Sequence, residues 1–139
     1  MKTKQILFTL ILSTILIGNH VFANPGFRDD KTTFKARKAV EEAAPDDWLT
    51  LAKSAEACIK KNVNLKEAAE WIDKSLAIKE TSYNLKVKGD YYLKNNLPNE
   101  AISTYILSLK KAHEENPNSD PTALQEKITE IRASQGKGN

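Results

Sequence analysis

The chain has 139 residues, 21 Lys or Arg against 18 Asp or Glu, and a formal charge of +3. Lys2 and Lys4 fall in an N-terminal leader, so the remainder sets 19 cations against 18 acids, too even for a nucleic-acid footprint. That remainder keeps one cysteine, Cys58, and one histidine, His113, which cannot by themselves assemble a four-ligand zinc site or an intramolecular disulfide. No glycine-rich phosphate loop, CxxC or HExxH is present. Composition points to a binding module, with no catalytic, metal or cofactor residues assigned.

Residues 1–23 read as a cleaved export signal. A short basic region precedes an apolar run from Ile6 to Ile17, and Val21 and Ala23 stand three and one before a cut at Asn24. The run is too short to span a bilayer, so no stable membrane anchor is expected after cleavage. The product is expected in a periplasm or outside the cell. There an unpaired Cys58 is expected to survive by burial.

Residues 24–44 read as an arm with a short helix over Thr33–Ala43, in which Phe34 and Val40 are the only large apolar residues. A helical domain is expected over 45–133. Its first helix starts near Pro45, with Asp46 and Asp47 in the first turn and Trp48, Leu51, Ala52, Ala55 and Ile59 on one stripe. After the turn Asn62-Val63-Asn64, Asn64 is expected to cap a second helix with Glu67 completing a capping-box-like pair. Ala68, Ile72 and Leu76 form the inner face there. A third helix starts after Thr81 or Ser82, with Leu85, Gly89 and Tyr92 on its packed side. Pro98 opens a fourth, with Ala101, Ile102, Tyr105, Ile106 and Leu109 as its stripe. Asp120-Pro121 reads as cap and first residue of a capping helix over 120–132, followed by a disordered tail at 134–139. No alternation signals a strand.

The two middle hairpins repeat. Glu67-Ala68 aligns with Glu100-Ala101 at a period of 33, with Ile72 on Tyr105, Ser75 on Ser108 and Ile59 on Tyr92. This layout, with repeats over about 49–81 and 82–115, resembles the tetratricopeptide-repeat family. Gly89, Tyr92, Ala101, Tyr105 and Leu109 stand at the family's packing positions. Glu56 falls where a small residue is usual, and Val63 replaces the turn glycine. A plain antiparallel bundle shares the same periodicity. The stretch from Asn62 to Ala101 also resembles a helical tail of exported bacterial proteins of unknown function.

The resemblance implies an all-α fold with a concave groove lined by each repeat's first helix. Lys53, Lys60, Lys61, Tyr83, Lys86, Asp90 and Lys94 are the candidates for that face, on stripes that also include Ala57, Val87 and Leu93. Lysines suit an acidic segment or a C-terminal carboxylate, and Tyr83 supplies anchoring area. Ala57 and Val87 stand where the family's carboxylate clamp uses asparagine. The expected partner is another protein or peptide, not nucleic acid. Self-association through the exposed ends of a short array is a further expectation. The alternative is a bundle holding a small apolar ligand near Tyr91, Tyr92 and Tyr105.

Overall fold

The computed structural model describes residues 30–136; the expected leader and the last three residues lie outside them. The fold is all-α. Among the described residues there are six helices: α1 (Lys31–Glu42), α2 (Trp48–Lys61), α3 (Leu65–Ile78), α4 (Ser82–Lys94), α5 (Pro98–Glu115) and α6 (Thr122–Gly136). None is long and apolar enough to cross a membrane.

The starts of α1, α2 and α4 are set by short polar side chains. Asp30 accepts from the Thr32 amide at 2.8 Å and opens α1. In α1, Thr33 and Ala36 are buried, whereas Phe34 lies largely exposed. Pro45 does not begin α2. Pro45 and Asp46 form a turn, and Asp47 is the cap, accepting from the Thr50 amide at 2.9 Å and its hydroxyl at 2.6 Å. Thr81 caps α4 in a reciprocal box with Asn84. Pro98 occupies the first turn of α5, where its missing N–H costs nothing. α6 starts at Thr122, one residue after Pro121, and continues to Gly136, so residues 134–136 are helical instead of tail.

Both hairpin turns are built alike. Asn62 and Asn96 each adopt left-handed backbone, φ 56°. The next amide bonds back to the carbonyl five residues earlier, Val63 to Cys58 and Leu97 to Tyr92, each at 3.0 Å. This is the Schellman arrangement, with asparagine where glycine is usual. The first turn then carries one extra residue, Asn64, also left-handed. Its side chain makes no cap hydrogen bond; Nδ2 instead donates to Glu67 at 2.7 Å, so the expected capping box does not form.

That extra residue shifts the internal register. Ser75 Oγ donates to the Trp48 carbonyl and Ser108 Oγ to the Ser82 carbonyl, both at 2.7 Å. The donors are 33 apart and the acceptors 34. The second helices therefore repeat at 33, the first helices at 34. Ile59 matches Leu93, not Tyr92, and Ala55 matches Gly89 in place of Glu56. Ala68 and Ala101 are both fully buried at equivalent positions.

α2 packs on α3 and α4 on α5; α4 also touches both α2 and α3. α1 lies against α2 and α6 against α5 at the two ends. One core gathers Ala36, Ala52, Ala55, Cys58, Ile59, Ala68, Ile72 and Val87. A second gathers Ala101, Ile102, Tyr105, Ile128 and Ile131. Cys58 is buried, as expected.

Candidate functional site

Two acids anchor the face shared by α2, α4 and α6. Glu56 on α2 and Asp90 on α4 occupy equivalent register positions, and both side chains are mostly covered. Glu56 accepts from the Tyr83 hydroxyl at 2.9 Å and pairs with Lys60 at 2.9 Å and Lys86 at 3.7 Å. Asp90 pairs with Lys86 at 2.9 Å, accepts from the Tyr105 hydroxyl at 2.7 Å, and is held by Lys127 from α6. Lys127 also lies 5.0 Å from the Tyr105 ring centroid.

Burial alone would raise both carboxyls. For Asp90, hydrogen bonds from Lys127, Tyr105 and Lys86 outweigh it and hold the group below its ordinary value. Glu56 is likewise held low, against burial, by Lys60 and Tyr83. The two phenols move the other way: burial, then the adjacent carboxylate, pushes Tyr83 and Tyr105 well above the usual tyrosine range.

Beside this network Ile59, Lys60, Asp90, Leu93, Lys94 and Lys127 line an open groove of about 480 Å³. The structure thus brings together Lys60, Asp90 and Lys94 of the sequence candidates. Lys86 and Tyr83 line an adjoining cavity of about 530 Å³, whose wall includes Leu109, Ala112, Ala123 and Leu124. Lys127 borders both spaces. Lys53 does not join them; it lines a crevice of about 450 Å³ between α1 and α2. Lys61 is exposed, and its charge acts on Asp30. Val87 is fully buried in the first core and is not part of the groove stripe, because α4 packs against both helices of the first hairpin.

The groove is partly neutralised from within, since Glu56 and Asp90 engage Lys60, Lys86 and Lys127. Lys94 differs: it is exposed and has no ion-pair partner among the described residues. Lys127 is the functional candidate that sequence reasoning missed. Its signal is its position three residues after Leu124 and one before Ile128, on the rim of the packed face of α6.

Tyr91 and Tyr92 contact each other at 5.9 Å between centroids but serve different cores: Tyr91 packs on the first, Tyr92 on the second. His113 is exposed near the end of α5, while Cys58 is buried in α2. Burial is the leading cause that raises the Cys58 thiol above its ordinary value, which disfavours the reactive thiolate. Among the described residues no cluster of three or more His, Cys, Asp or Glu could hold a metal ion. Compared with family models, with curated proteins and with solved structures, the chain matches none of them.

Proposed function

We propose that this chain is an exported, non-catalytic, tetratricopeptide-like module that docks an acidic segment of another protein in the groove between α2, α4 and α6. The observation that carries the reading is the groove itself. Leu93, over the buried Ile59, lies among three lysines and Asp90, and Lys94 has no ion-pair partner among the described residues. An extended chain bearing carboxylates complements that lining, with apolar contact below and charge at the rim. The basic, then apolar, then small-residue order of residues 1–23 supports export.

The test is fluorescence anisotropy with a labelled peptide of alternating glutamate and leucine. Binding is expected to weaken up to about fivefold on Lys94→Glu, since one exposed pair contributes up to about 1 kcal/mol. Replacing the peptide's glutamates by glutamine should weaken it further. Equal affinity for both peptides, or no effect of Lys94→Glu, would overturn the reading.

A second reading is a small apolar ligand between helices. The cavity walled by Tyr83, Leu109, Ala112 and Leu124 favours it. Native mass spectrometry of protein purified from its host would then record added mass.

A further inference from the structure

The six helices form a row in which each neighbour covers the last, and the row has two unlike ends. Among the described residues α1 packs its backbone against α2, with Arg37 reaching Glu67 of α3, and α6 packs against α5, with Lys127 reaching Asp90 of α4. At the α1 end, Lys31, Lys35 and Lys53 line the crevice of about 450 Å³, over a floor that includes Ala36, Ala39 and Ala57. Among the described residues no carboxylate lines it. Lys31 and Lys35 are one helical turn apart on the same face.

At the α6 end the charge is reversed. Thr122, Gln125, Glu126, Thr129 and Glu130 recur at the spacing of one helix face and line a shallow concavity. All five are exposed, and no cation among the described residues lines that surface. Glu126 and Glu130 are one turn apart and have no ion-pair partner among the described residues. The lysine of this helix, Lys127, is drawn to Asp90 instead.

From these two faces we infer that the α6 surface of one copy seats in the α1–α2 crevice of a second copy. The paired acids of α6 match the paired lysines of α1 in spacing as well as in sign. Alanine, threonine and serine at the contact let the helices approach closely. An unrelated acidic helix would satisfy the basic end alone, whereas a second copy answers both. Pairing like ends, α1 on α1 or α6 on α6, sets like charges together. The contact is therefore heterologous and head-to-tail, and each added copy presents a fresh pair of ends. With little apolar area and exposed charges, the association is weak and sensitive to salt.

Sedimentation velocity tests this on the purified protein over rising concentration, at about 0.05 M and about 0.5 M NaCl. The weight-average sedimentation coefficient is expected to climb with concentration at low salt only. Lys31→Glu/Lys35→Glu and Glu126→Lys/Glu130→Lys should each remain monomeric, with unchanged far-ultraviolet circular dichroism. An equimolar mixture of the two should associate, because one carries two acidic ends and the other two basic ends. A wild-type protein that stays monomeric at low salt would overturn the inference. So would association that ignores salt, double variants that associate like the wild type, or a mixture that remains monomeric.

Discussion

Gly89 is held by one ring. A Cβ built on it would lie 2.5 Å from Tyr105 Cδ1 and 3.0 Å from Cζ, and Tyr105 is fully buried with nowhere to yield. The first hairpin fills the matching space with the same division of volume, less extreme: Ala55 on the first helix and Ile72 on the second. A small residue on the first helix faces a large one on the second in each hairpin, and the contrast is greater in the second hairpin. Gly89→Ala gains about 1 kcal/mol of helix propensity but incurs overpacking of about 1–3 kcal/mol. A net loss of up to about 2 kcal/mol is expected in urea unfolding. Tyr105→Ile, which also removes the hydroxyl from Asp90, should destabilise on its own. Combined, Gly89→Ala/Tyr105→Ile rebuilds the Ala–Ile pair, so the double variant should lose less than the sum of the singles.

Asp90 ties three helices, receiving Lys86 from α4, Tyr105 from α5 and Lys127 from α6. Its carboxyl is held below the ordinary 3.8, so the folded protein binds fewer protons at this site than the unfolded chain. The stabilisation is complete above that ordinary value and is lost as pH falls below it towards the depressed folded one. Acid unfolding of the wild type should therefore steepen below about pH 4, and Asp90→Asn should flatten that limb while lowering stability at neutral pH. Circular dichroism at stepped pH reads both effects.

At this scale the sequence is legible where its signals are local. Pro98, Thr81 and the apolar stripes place α5, α4 and the inner face of α3 because capping and helical period act within a few residues. The start of α2 is misplaced because Pro45 is compatible with either a first helical turn or a β-turn, and Asp47 makes the stronger cap. The repeat is visible, yet its register in the first helices is off by one. The extra left-handed residue, Asn64, has no sequence signature distinct from an ordinary cap. Lys60, Asp90 and Lys94 are found together because one stripe per helix predicts them. Lys53 and Val87 fall elsewhere because a stripe fixes an angle about one helix axis, and only the neighbouring helix decides what that angle faces.

Across the whole molecule, two cores meet where α4 leans on the first hairpin, with Val87 of α4 buried inside the first core. The two end faces carry opposite charge while the middle holds the lysine-edged groove, so the proposed peptide docking and the proposed stacking of copies call on separate surfaces.

The buried thiol of Cys58 makes the interior of the first hairpin chemically silent until it breathes. DTNB needs both access and thiolate, and the folded state withholds both. Colour released by DTNB in native buffer therefore clocks how often the core around α2 opens, a single-site stopwatch that the chain already carries. Fast, complete release without denaturant would mean that the hairpin spends much of its time ajar.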